Sequence, residues 1–176
     1  MYWYFCECIH DSGWGGTRAP ETISTTPGIW EIVLQLFRVV GCGVVCFLPA
    51  FVYLIYFRQP GLIFVCLIAL GFFLYPMGLL SVVMHDSFEG LKPGIIMQSI
   101  YKTFFGYCGL LVLLFGMFVL GFAASFGLTA LLLPSLAAFL ILQLVFQVAG
   151  LYQFWISGHL LGRFYWKYRN ILQWGV

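Results

Sequence analysis

Four residues near the N-terminus carry side chains that bind metal ions: Cys6, Cys8, His10 and Asp11. Zinc binds cysteine thiolates and histidine nitrogens, but its paired cysteines usually have about two to four residues between them. A single residue separates Cys6 from Cys8, and the polar segment around them offers no second pair. We therefore predict no metal here and no cofactor for the chain. Cys6, Cys8 and His10 are only weak candidates for metal ligands, because the residues needed to complete a site are missing.

A second group of ionisable residues follows the uncharged apolar run 61–84 and has partners elsewhere in the sequence. Its members are His85, Asp86, Glu89, His159 and the Glu31/Arg38 face of an early helix. These side chains could meet between helices, as a proton relay or as an iron site of two histidines and one carboxylate. Because His85 stands at the predicted membrane boundary, where water is available, the pattern favours a solvated loop over a catalytic or metal site.

Two glutamines, Gln143 and Gln147, lie one helical turn apart inside the last apolar run. Gly150, Phe154 and Ser157 continue the same helix face. An amide in lipid is costly unless it forms a hydrogen bond across helices. We interpret Gln143 and Gln147 as polar residues that join helices, with a transport path along this face as the alternative.

The C-terminal segment 163–176 mixes basic and aromatic residues. Trp and Tyr are enriched at membrane–water interfaces, and basic residues attract anionic lipid. The predicted interface anchors are Arg163, Trp166, Lys167 and Arg169. Bound lipid is therefore expected, and the same strip could dock a partner subunit.

The composition places the chain in a membrane. Of its 176 residues 62% are hydrophobic and only 8% are charged, whereas a soluble domain has about 25% charged residues. The net charge of +2 is too small to indicate a nucleic-acid partner. Because the membrane interface explains the basic and aromatic residues of the C-terminal segment, we predict no nucleic acid as a partner. No P-loop, dinucleotide-binding or HExxH motif, and no nucleophile–base pair, is evident in the sequence.

The apolar runs predict an all-α polytopic membrane protein. We expect four transmembrane helices, arranged as two antiparallel hairpins, and one amphipathic helix along the interface after Pro93. The predicted spans are about 39–57, 61–84, 106–126 and 128–158. Gly106 is the predicted bend into the third span and Gly127 the turn into the last. The membrane domain is 27–162, preceded by a cytoplasmic or interfacial segment 1–26 and followed by the tail 163–176.

The charges predict the orientation. With four spans, seven of the eight basic residues and all six acidic residues lie on one side of the membrane, and Arg58 alone lies on the other. The positive-inside rule makes the charged side cytoplasmic, together with both termini.

One series of short motifs resembles a known group of proteins. The segment 73–81, Phe-Leu-Tyr-Pro-Met-Gly-Leu-Leu-Ser, precedes an acidic loop, Lys92-Pro93 and Ser99-Ile100. These motifs occur in the same order in a group of uncharacterised bacterial multi-pass membrane proteins, which the chain resembles. The last span of those proteins ends in a segment similar to residues 160–166 of this chain, Leu-Leu-Gly-Arg-Phe-Tyr-Trp. The similarity covers roughly residues 8–167. It implies the bacterial inner membrane and no particular activity.

Three functions remain open at this point. The small size, the few polar groups in the spans and the aromatic anchors favour a non-catalytic accessory subunit of a larger membrane complex, with lipids and other membrane subunits as partners. A transporter or channel component, with a path past Gln143 and Gln147, is the alternative. The third is a membrane-embedded enzyme that uses His85, Asp86, Glu89 and His159.

Overall fold

The computed structural model describes residues 2–16, 28–132, 136–172 and 174, and these residues are almost entirely helical. A 3-10 turn, Phe88–Leu91, joins the third and fourth α-helices. The helices are α1 (Tyr2–Gly13), α2 (Ile29–Phe57), α3 (Leu62–His85), α4 (Pro93–Lys102), α5 (Phe104–Leu132) and α6 (Leu136–Leu172). The predicted all-α fold is confirmed for the described residues.

Three helices, and not the predicted four, are long and apolar enough to cross a membrane within the described part of the chain. They are Ile29–Phe57, Leu62–His85 and Phe104–Gly127. The predicted fourth span, 128–158, includes residues 133–135, which lie outside the described residues. The structure therefore supports a membrane protein with at least the first three predicted spans.

Both glycines that were expected to bend the chain lie inside one helix. α5 runs without a break through Gly106 and Gly127, and the interruption comes before it, at Thr103. Hydrocarbon offers no water for freed backbone groups, so a helix in lipid continues through glycine. Gly106 instead allows close contact, because a Cβ there would collide with the Tyr168 hydroxyl of α6.

The helices form two hairpins, α2 with α3 and α5 with α6, which meet at one end of the molecule. The buried core lies at this end. The largest fully buried side chains there are Tyr107, Ile9, Met77, Leu80 and Met84. Towards the α2–α3 connection and along the middle of α5 and α6, large apolar side chains are exposed, including those of Ile55, Leu62, Leu120 and Leu144.

α4 has two different faces, as its sequence predicts. Ile96 and Ile100 are buried, whereas Met97 and Tyr101 are exposed. Ser99, expected on the polar face, is buried because its hydroxyl accepts a hydrogen bond of 2.9 Å from Trp174 Nε1. Thr103 is also buried, and its hydroxyl donates to the Ser99 carbonyl at 2.8 Å.

α1 is packed into the core, although its sequence indicated a surface segment. It runs alongside the second half of α6, with the Phe5 ring stacked on that of Phe154 at a centroid distance of 4.1 Å. The two backbones approach closely at Gly158 and Gly162. A Cβ on Gly158 would lie 2.9 Å from Phe5 Cδ2, and one on Gly162 would lie 2.6 Å from Ser12 Cβ.

This close approach predicts a position-specific effect of alanine. Gly162→Ala should destabilise the protein by about 1–3 kcal/mol, because α1 must move away from α6 to admit the methyl group. Gly116→Ala is the matched control, since nothing lies within 4 Å of a Cβ there. It should be neutral or slightly stabilising. Thermal unfolding of both variants in mild detergent measures the difference, and equal melting temperatures would contradict the α1–α6 packing.

Candidate functional site

A small polar cavity of about 190 Å³ lies at the core end, between α1, α2 and the end of α3. Its lining residues are Cys6, Glu7, His10, Gln35, Arg38, Val83 and Asp86. Cys6 and His10 are one turn apart on α1, and Gln35 and Arg38 are nearly one turn apart on α2. Each helix therefore presents one face to the cavity.

An ion pair closes one side of the polar cavity. Arg38 Nη1 lies 2.7 Å from Asp86 Oδ1, and this pair joins α2 to the end of α3. Asp86 is the C-terminal cap of α3 with φ at 50°, a left-handed conformation that aspartate tolerates better than most residues. The Asp86 side chain is 70% exposed, so the pair contributes only about 0–1 kcal/mol to stability.

The cavity holds more negative than positive formal charge. Glu7 and Asp86 are acidic and Arg38 is the one arginine or lysine among the lining residues. Gln35 Oε1 is buried without a hydrogen-bond partner among the described residues. A surplus of acceptor atoms suits a small cation or an amine better than an anion.

The Cys6 thiol in this cavity is protonated at neutral pH. Burial raises the pKa of Cys6 to about 12, Glu7 adds to the effect, and the nearby Arg38 guanidinium only partly opposes it. Burial also raises the pKa of Cys8. The thiolate is the form that attacks electrophiles and binds metals, so neither thiol is set up for that chemistry.

The helix also separates the residues that were considered as candidate metal ligands. Cys6 and Cys8 are two residues apart on α1, about 200° around the helix, so they face in nearly opposite directions. Cys6 and His10 line the polar cavity and Cys8 does not. Within the described residues, no three His, Cys, Asp or Glu side chains are placed to hold a metal ion.

The predicted cluster of histidines and carboxylates is only partly assembled. Arg38 and Asp86 meet, but the other members lie apart. His85 Nδ1 is 2.8 Å from the Ser81 carbonyl, and its ring lies 5.4 Å from that of Trp174 on the α4 side. His159 contacts α1 instead, and Glu89 is exposed in the 3-10 turn. Helix phase, which the sequence alone did not fix, directs these side chains to different neighbours.

Ser12 and His159 form a contact that the sequence did not reveal. The Ser12 hydroxyl hydrogen-bonds to His159 Nδ1 across 147 positions of the chain. Ser12 is only 1% exposed, and it lines neither the polar cavity nor the apolar cleft described below. A nucleophile must reach its substrate, so this pair ties α1 to α6 rather than forming a catalytic dyad.

The two glutamines that were predicted to join helices are exposed on the surface of α6. Gln143 and Gln147 are exposed on α6, together with Leu144, Val145 and Val148. The amide that faces α5 is Gln153, whose Oε1 would lie 2.8 Å from a Cβ on Gly121. Sequence reasoning missed Gln153 because it lies beyond the stripe that contains Gln143 and Gln147.

The predicted anchors lie on α6 and not in a separate tail, because this helix continues to Leu172. The Arg163 guanidinium lies 5.5 Å from the centre of the Trp166 ring. The Lys167 ammonium lies 5.5 Å from the ring of Tyr168. Trp166, Lys167 and Arg169 are exposed, as an interfacial role requires.

A second cavity is apolar and larger. It is a cleft of about 440 Å³ between α3, α5 and α6, and Phe5 of α1 also contributes to its lining. Its lining residues are Phe5, Phe72, Tyr75, Pro76, Leu79, Leu114, Phe115, Phe118, Phe154, Ser157 and Leu161.

Comparison with known proteins adds no assignment. Neither the protein-family models, nor the curated proteins, nor the solved structures contain a match to this chain.

The protonated Cys6 thiol predicts slow alkylation. At pH 8 Cys6 in the folded protein should react with iodoacetamide about a thousandfold more slowly than in the SDS-unfolded chain, whose thiols have a pKa of about 8.5. Its rate should rise as the pH approaches about 12. Because folding keeps the proton bound, the contribution of Cys6 to stability should be present below pH ~8.5 and decline above it.

Peptide mass spectrometry measures this rate residue by residue. The thiol introduced by Trp14→Cys is the control, since Trp14 is exposed just beyond α1. Equal rates for Cys6 and the introduced thiol in the folded protein would show that Cys6 is not buried as described.

Proposed function

We propose that this protein is a non-catalytic subunit of a larger membrane complex, and that α6 binds a transmembrane helix of a neighbouring subunit. The observation that carries this proposal is the exposure of Gln143 and Gln147 on one face of α6. Gly150 continues that face, and nothing lies within 4 Å of a Cβ built on it. The face thus combines hydrogen-bonding amides with room for close backbone approach, which are the features of helix–helix contacts in membranes.

The proposal includes α6 as the fourth span. With 37 residues, α6 is about 55 Å long, which exceeds the ~30 Å hydrocarbon core and leaves its basic end in water. An even number of spans puts both termini and the loop around Asp86 on one side. The basic residues on that side make it cytoplasmic by the positive-inside rule, and the resemblance described above favours the bacterial inner membrane.

Lipid alone is a poor neighbour for this face of α6. Hydrocarbon offers the amides of Gln143 and Gln147 no hydrogen bonds, and polar groups at membrane depth are costly without partners. A partner helix that carries a donor or acceptor removes this cost. The aromatic and basic residues from Arg163 to Arg169 would hold the complex at the interface and bind anionic lipid.

The alternatives have less support. Neither Gln143 nor Gln147 lines the polar cavity or the apolar cleft, so a transport path along them lacks a described opening. An enzyme would need several reactive side chains around one point, but His85, Glu89 and His159 point to different neighbours.

The test is co-purification of the full-length, tagged protein from its native membrane in mild detergent. In the double variant Gln143→Leu, Gln147→Leu, recovery of the partner should fall about fivefold or more, because interhelical hydrogen bonds contribute about 0.6–1.7 kcal/mol each. Gln98→Leu is the matched control, since Gln98 is exposed on α4. It should leave recovery unchanged.

A photo-crosslinker at position 147 identifies what contacts this face. An adduct with a transmembrane segment of another protein supports the proposal. Adducts with lipid alone, together with a double variant that is more stable and loses no partner, would overturn it.

A further inference from the structure

The apolar cleft follows from the way the two hairpins meet. α3 and α5 touch near the core end, where the Phe73 and Tyr107 rings are 5.4 Å apart and Tyr107 donates a hydrogen bond to the Phe73 carbonyl. Further along, Phe72 and Phe115 still meet edge to face at 5.9 Å. Between these contacts and α6 the chain leaves a gap of about 440 Å³.

The cleft lies at membrane depth, because Phe72 to Leu79 and Leu114 to Phe118 belong to candidate spans. Its walls are aromatic and aliphatic, with the hydroxyls of Tyr75 and Ser157 as its polar side-chain groups. The Ser157 hydroxyl already donates to the Gln153 carbonyl at 2.9 Å. The cleft therefore offers very little hydrogen bonding to an occupant.

These properties select the occupant. A stable water needs about two to four polar partners, which the walls do not supply. A transmembrane partner helix does not fit, since one helical turn with its side chains fills roughly 400 Å³ and the cleft therefore holds only about one of the five or so turns that cross a ~30 Å core. An empty gap would cost the lining atoms their dispersion contacts. A flexible hydrocarbon chain meets none of these objections, and the volume lies in the range of about 300–1,000 Å³ found for ligand sites.

We propose that the cleft is a specific binding site for one acyl chain of a membrane phospholipid. Phe5 of α1, stacked on Phe154, adds an aromatic wall against which the chain packs. The lipid fills the wedge between the hairpins and joins α3, α5 and α6 in the bilayer. This site depends on the membrane location of the spans and not on the partner contact at Gln143 and Gln147.

Photolabelling of the purified full-length protein in nanodiscs tests the site. The probe is a phosphatidylethanolamine with a diazirine in one acyl chain, diluted in unlabelled lipid. Adducts should concentrate on Leu79, Leu114 and Phe118, above those on Val112 and Leu120, which are 72% exposed on α5. Uniform labelling of cleft and outer surface would mean ordinary bulk lipid and would overturn the proposal.

Two variants fill the cleft. Ser157→Leu and Leu114→Phe should each lower the cleft adducts about tenfold, because the larger side chain occupies the space of the acyl chain. Ala124→Leu is the control, because Ala124 is exposed on α5 and does not line the cleft. It should leave the pattern intact. If both filling variants fold and keep the wild-type adducts, the chain does not bind in the cleft; if neither folds, the wild-type labelling pattern alone decides.

Discussion

The contact between α1 and α6 is the interaction on which the rest of the structure depends. It is possible because Gly158 and Gly162 have no side chains at the two points where the backbones approach. With α1 seated there, Phe5, Cys6 and Ile9 are buried and complete the core that α3 provides. The same helix contributes lining residues to both the polar cavity and the apolar cleft. Two sites of opposite character thus share one short helix.

The concentration of the core at one end has a physical consequence at the other. Away from α1 and α4, the hairpins bury little of their apolar surface against each other, and residues such as Ile55 and Phe122 are exposed. In water this exposed apolar surface would cause aggregation, whereas in a bilayer the lipid tails are as apolar as the side chains that they cover. Lipid leaves an amide pair without hydrogen bonds, and a narrow gap admits a single ordered acyl chain rather than bulk lipid. These two exceptions, the glutamine face of α6 and the cleft between the hairpins, therefore carry the functional proposals.

The sequence predicted the parts of the structure that solvent dictates. Uncharged runs located α2, α3 and α5, since only a helix satisfies its own backbone in hydrocarbon. It did not predict α1 as a core element, because the burial of Cys6 and Ile9 depends on a partner about 150 positions away. Nor did it predict that α5 would continue through Gly127, because glycine ends helices in water far more readily than in lipid.

The candidate site was less predictable than the fold. Arg38 and Asp86 were named as members of one cluster, and they do form an ion pair. His85 and His159 were possible further members, although the pattern favoured a solvated loop, and helix phase places them against Ser81 and Ser12. Gln35 shares the helix face of Glu31 and Arg38, as its spacing predicts, whereas Glu7, which also lines the cavity, carried no distinctive spacing. A spacing pattern shows which residues share a face, whereas tertiary packing decides which faces meet.

The proposed topology places the N-terminal helix, the middle loop and the end of α6 at one side of the membrane. Single cysteines introduced by Glu89→Cys, Lys167→Cys and Gln59→Cys, labelled with an impermeant maleimide in sealed inverted vesicles and in intact cells, test this most directly. We expect the thiols at 89 and 167 to be labelled from the same, cytoplasmic side and the thiol at 59 from the opposite side. Labelling of positions 89 and 167 from opposite sides would contradict the topology and the placement of both sites.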